Sequence, residues 1–95
     1  MIKVAVRNRE NEIILETNKI LDLVAYIVGI NENGGRLLDI RVYEGSYRIY
    51  RQSFNSLYIK GKEGLEAFIE DIVKTVYPHS PSAVNEFRKE LEALR

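Results

Sequence analysis

Apolar and polar positions alternate from the start of the chain. Ile2, Val4 and Val6 interleave with Lys3, Ala5 and Arg7, the period-two pattern of a half-buried strand. Asn8–Asn11 reads as a polar turn, and Glu12–Glu16 as the returning strand with Ile13 and Leu15 facing inward. Thr17 or Asn18 is placed to cap a helix over Lys19–Val28, with Ile20, Leu23 or Val24, and Ile27 as its buried stripe and Gly29 as its stop. The Asn31–Gly35 cluster is a turn. A β-rich centre follows: Leu37–Tyr43, a turn at Glu44-Gly45, Tyr47–Gln52, and a further strand over Ser56–Lys60.

After Gly61 the period changes to 3.6. Leu65, Phe68, Ile69, Ile72, Val73 and Val76 predict an amphipathic helix over Glu63–Tyr77. Pro78 ends it, and Ser80-Pro81 restarts a helix with Ser80 as N-cap and Pro81 at the first helical position, where a missing N–H is harmless. The expected class is α+β, in the order ββα-βββ-αα. That gives an antiparallel sheet of about five strands with helices packed on one face. The 95 residues suit a single domain, 1–95, with a sheet-plus-helix core over 1–80 and a C-terminal helix over 81–95.

Composition narrows the chemistry. The chain has no cysteine, which removes disulfides, thiolate metal sites and cysteine nucleophiles. The first residues lack the apolar run of a signal peptide, and the longest apolar stretch, Ile20–Ile30, falls short of the roughly 20 residues a membrane span needs. A cytoplasmic protein with no membrane partner is the expectation. Net charge is zero, but its distribution is uneven: residues 36–62 carry six Lys/Arg and two Asp/Glu, whereas residues 63–95 carry four and seven. Four of the six tyrosines also fall in that basic middle third.

A two-residue loop at Glu44-Gly45 sets Val42 opposite Tyr47, Ile40 opposite Ile49 and Leu38 opposite Arg51, on the side that meets the helices. Asp39, Arg41, Tyr43, Arg48 and Tyr50 then share the open side, joined by Tyr58 and Lys60, while Leu57 and Ile59 turn inward. Aromatic rings stack on bases at roughly 1–3 kcal/mol per base and Arg or Lys neutralises phosphates. The candidate nucleic-acid-binding residues are therefore Arg41, Arg48, Arg51 and Lys60 for phosphate, with Tyr43, Tyr50, Phe54 and Tyr58 for stacking, and the expected partner is single-stranded DNA or RNA. The same Tyr/Arg face equally suits a protein interface, the reading of an interaction or regulatory subunit.

The run Leu38-Asp39-Ile40-Arg41-Val42, a hairpin, a strand ending at Lys60-Gly61, and a helix carrying Leu65, Phe68, Ile69 and Ile72 resembles the single-stranded-DNA-binding module of the positive-cofactor-four family. The order is also similar to that of ThermoDBP-type archaeal single-stranded-DNA-binding proteins. The resemblance covers Arg36 to Val76 and implies Arg41, Arg48, Tyr50 and Tyr58 as strand contacts. It departs at residues 1–29, an additional ββα unit, and in loops less basic than the family's.

No reaction centre is legible. His79, the sole histidine, sits in an interhelix turn, so no metal or cofactor is expected. Asn33-Gly34-Gly35 lacks the Lys-Ser/Thr pair of a phosphate loop. Glu63, Glu66, Glu70 and Asp71 read as the solvated face of a helix, and no serine and histidine are arranged as a nucleophile and its base, so the chain is not expected to be an enzyme. In the last helix Val84, Phe87, Leu91 and Leu94 recur at heptad-like spacing. They either dock on the chain's own sheet or form the interface of a homodimer.

Overall fold

The alternation in the first residues has the expected consequence, because Ile2, Val4 and Val6 are buried while Lys3 and Arg7 stay on the other side of the pleat. The computed structural model describes residues 1–93. It places β1 (Ile2–Arg7) inside a four-stranded antiparallel sheet with β2 (Ile13–Thr17), β3 (Leu37–Glu44) and β4 (Tyr47–Asn55), in the order β2-β1-β3-β4. The helices are α1 (Ile20–Glu32), α2 (Gly61–Val76) and α3 (Pro81–Glu92). The class is α+β, with one strand fewer than expected. Cα extents of 34 × 32 × 16 Å describe a slab about two layers thick.

Ser56–Lys60 is not a strand. Ser56–Tyr58 forms one turn of 3-10 helix, started by Asn55, whose side chain accepts the Leu57 N–H at 2.9 Å. Ser56 is wholly buried and ties this turn to the loop before β3: its hydroxyl accepts the Arg36 N–H at 2.9 Å, and its own N–H donates to the Arg36 carbonyl at 2.7 Å. Leu57 is consequently not a core residue. It lies 48% exposed over Gly35, where a Cβ would collide with it and where φ is +78°. Ile59 does turn inward.

α1 runs four residues past the expected Val28 and accommodates Gly29 within it, ending where Asn33 and the positive-φ Gly34 break the helical path. Its start is capped from across the molecule. The Glu90 carboxylate of α3 faces the free N–H groups of Ile20 and Leu21 at 3.3 and 3.5 Å, a charge suited to a helix N-terminus. Thr17 takes part locally, accepting from the Lys19 N–H and donating to Asp22. Ser80 and Pro81 start α3 as the sequence indicates, with the Ser80 hydroxyl accepting from the Ala83 N–H.

All three helices lie on one side of the sheet. Ile20, Leu23 and Ile27 of α1, Ile69, Ile72 and Val76 of α2, and Val84 and Phe87 of α3 meet Val4, Val6, Leu38, Ile40 and Val42 in one core. α3 packs on both α1 and α2. Each edge strand carries a bulge. Ile14 is the extra residue in β2, which turns Ile13 out opposite Arg7 rather than inward, and Ile49 is the extra residue in β4. Bulged, charged edges resist pairing with further strands.

Candidate nucleic-acid interface

The hairpin loop is Gly45-Ser46, one residue later than expected, with Gly45 at φ +60°. Tyr43 pairs with Arg48, then Ile49 is skipped and Val42 pairs with Tyr50. One inserted residue moves every later side chain to the opposite face. The expected assignment beyond Arg48 is therefore corrected. Tyr50 and Phe54 belong to the helix side, and Arg51 belongs to the open side.

Tyr50 is buried and donates its hydroxyl to Asp71 on α2 at 3.3 Å. Burial, and then the nearby Asp71 charge, push its pKa well above the ordinary tyrosine value. Phe54 meets Phe68 of α2 edge to face, with ring centroids 5.3 Å apart. Neither ring is available for stacking from the open side. Tyr58 is 77% exposed beyond the end of β4, and Lys60 is the exposed residue at the N-terminus of α2. Of the eight candidates, the sheet brings together Arg41, Tyr43, Arg48 and Arg51.

Two further cations complete the face, Lys3 and Arg7 on β1. Register aligns Lys3, Tyr43 and Arg48 in one row across the strands, Glu16, Ala5, Arg41 and Arg51 in the next, and Arg7, Asp39 and Ser53 in a third. Five cations thus share the face with two carboxylates, and no helix covers it. The signal for Lys3 and Arg7 was present in the alternation of β1, but it needed knowledge of the β1–β3 pairing to join them to the hairpin.

The charges are organised rather than scattered. Asp39 accepts two hydrogen bonds from Arg41, at 3.2 and 3.0 Å, and two from Arg51, at 3.2 and 3.0 Å. Both guanidinium groups are fixed by fork geometry. The Arg41 bonds, aided by those from Arg51, hold the Asp39 carboxyl at about 2, below its ordinary value of 3.8. Asn11, from the β1–β2 turn, accepts from Arg7 at 3.0 Å through its carbonyl and from Arg41 at 3.5 Å through its side chain. Lys3 lies 5.6 Å above the centre of the Tyr43 ring and 3.4 Å from Glu16. A hydrogen bond from Arg41, with Arg7 and Arg48 nearby, lowers the pKa of the Tyr43 phenol. This arrangement presents N–H donors and positive charge to an anionic partner and one half-buried ring to a planar one.

The other candidate surface is differently placed. Val84 and Phe87 are 1% exposed in the chain's own core, Leu91 is partly buried beside it, and Leu94 lies outside the described residues. The inner half of the stripe therefore docks within the chain. Among the described residues no cluster of three or more His, Asp or Glu is positioned to hold a metal ion, and no helix is long and apolar enough to cross a membrane. No family model matches the chain, and searches of curated proteins and of solved structures return no match either.

Proposed function

We propose that the chain binds single-stranded nucleic acid on the open face of its sheet, chiefly through phosphate contacts. The observation that carries this reading is the grouping of Lys3, Arg7, Arg41, Arg48 and Arg51 around Tyr43 on a sheet face left uncovered by helices. Three of the five are held in place by Asn11 and Asp39, which lowers the conformational cost of using them. Tyr43 on the face and Tyr58 beyond its edge supply base stacking, a smaller aromatic contribution than the sequence pattern indicated. Of the four contacts that the resemblance to the positive-cofactor-four module implies, Arg41 and Arg48 lie on this face and Tyr58 beyond its edge, whereas Tyr50 is buried and the strand expected to end at Lys60-Gly61 is a 3-10 turn. The chain's balancing negative charge lies mainly outside this face, which orients a polyanion toward the sheet.

Titration of a fluorescein-labelled oligothymidylate, followed by anisotropy at about 50 and about 200 mM salt, tests the reading through counterion release. Binding should weaken steeply with salt. Replacing Lys3 and Arg48 together by Glu should weaken binding at low salt and reduce the log–log salt slope by roughly 0.7 for each phosphate no longer neutralised. Absence of binding to single-stranded DNA and RNA at the lower salt would remove the proposal and leave an acidic protein surface as the face's partner.

A further inference from the structure

The helical layer is open where the sheet is not involved. α1 and α2 each pack on α3, but no extensive contact joins them to each other. Where the three helices meet lies a groove of about 560 Å³, walled mainly by α2 and α3 and floored by Val24, Leu65, Ile69 and Leu91. Past Leu65 and Lys62, which line both, it continues into a second hollow of about 460 Å³ beside Ile27, Val28 and Ile59. The floor is aliphatic and Val28 is 43% exposed, so apolar surface remains in water here. The rim is acidic. Among the described residues five carboxylates line the two hollows, Glu63, Glu66, Glu70 and Glu92 on the first and Glu32 on the second, against the cations Lys62 and Arg88. Arg88 is already 3.4 Å from Glu70.

We propose that this groove receives one face of a basic amphipathic helix from a partner protein. An apolar strip flanked by carboxylates is the complement of a helix with aliphatic residues at i, i+3 or i+4, and i+7 and with Lys or Arg beside them. The length agrees: Lys62 to Glu70 of α2 spans about 12 Å at 1.5 Å per residue, roughly two helical turns. The same rim disfavours fatty acids, anionic headgroups and nucleic acid, so charge selects the occupant among molecules that the apolar floor would otherwise accept. The groove lies in the helical layer, which leaves the basic sheet face clear, and its assignment is independent of the nucleic-acid reading.

The test uses the full chain and two fluorescein-labelled peptides that share leucines at i, i+3, i+4 and i+7. One has Lys and the other Glu at the remaining positions. The basic peptide should saturate in the micromolar range, and the acidic one should bind at least about tenfold more weakly. Amide NMR shifts caused by the basic peptide should cluster around Val24, Val28, Leu65 and Leu91. Glu63→Lys with Glu92→Lys, two changes that leave the apolar floor in place, should weaken the basic peptide by at least about tenfold. Equal binding of the two peptides, no saturation at millimolar concentration, or shifts confined to the sheet would each overturn the proposal. So would sedimentation showing a dimer that the basic peptide dissociates, because the groove would then belong to a second copy. If the double variant does not fold by circular dichroism, the wild-type peptide comparison and the shift map decide the question alone.

Discussion

Val4 and Ala5 are neighbours on β1 and are exposed to 0% and 1%, but they are covered by different things. Val4 points into the layer built by three helices, where aliphatic side chains exclude water through close packing. Ala5 points the other way, between Glu16 and Arg41 in register, and the long stems of charged neighbours shield its methyl group. One face is covered by secondary structure and the other by side chains whose polar ends remain accessible. Burial by helices makes a surface that serves stability, whereas burial under arginine stems leaves a surface that is ordered and still able to meet a ligand. The Asp39 clamp shows the same division: it orders Arg41, whose side chain is largely covered, and Arg51, whose side chain stays half exposed.

If the two faces divide stability and binding in this way, the largest separation should come from Phe87 and Arg48. Phe87→Ala removes a ring from the core and should cost about 3–5 kcal/mol in urea denaturation, while Arg48→Ala should stay within about 0.5 kcal/mol. Comparable losses would erase the distinction. The next contrast is between two tyrosines that the sequence pattern groups together. Tyr43→Ala should weaken single-strand binding by roughly 1–3 kcal/mol, whereas Tyr50→Phe should leave the affinity of the folded protein unchanged. The opposite ranking in an oligonucleotide titration would return Tyr50 to the binding face.

Acid titration probes the clamp. The folded pKa of Asp39 lies below its ordinary value, so its contribution is complete above about pH 4 and is lost as pH falls toward about 2. Because the Arg51 side chain is 47% exposed, solvent screening keeps the expected contribution to the order of 1 kcal/mol. Wild type and Asp39→Asn, compared by thermal melts from pH 5 to about 2, should converge at the acid end; a constant gap would show that the clamp carries no charge-dependent stability. The smallest effect belongs to the Tyr50 hydroxyl itself. Its hydrogen bond to Asp71 at 3.3 Å is long, and Tyr50→Phe should cost no more than about 1 kcal/mol in the same denaturation assay.

Much of the local structure was legible along the chain. Alternation located β1, the 3.6-residue period of Leu65 to Val76 located α2, and Ser80-Pro81 marked the start of α3. These signals are local because each depends on the spacing of side chains along one element. The candidate face was legible in part. Arg41, Tyr43 and Arg48 lie before the bulge in the hairpin path and kept their expected side, whereas Tyr50 and Arg51 lie beyond it and exchanged theirs, and Phe54, expected to stack on bases, packs on Phe68.

The sequence by itself determined β1, β2, the two hairpin strands and the three helices, though not the 3-10 turn at Ser56–Tyr58, and also where the basic third of the chain falls and that cysteine chemistry is absent. The tertiary structure alone decided the bulge at Ile49, the Glu90 cap on α1, the union of Lys3 and Arg7 with the β3–β4 cations, and the groove where the three helices meet. The physical reason is range. A period reports one element's preference for water or core, but a bulge, a cross-chain cap and a shared sheet face each depend on what packs opposite, and that partner lies tens of residues away in the sequence.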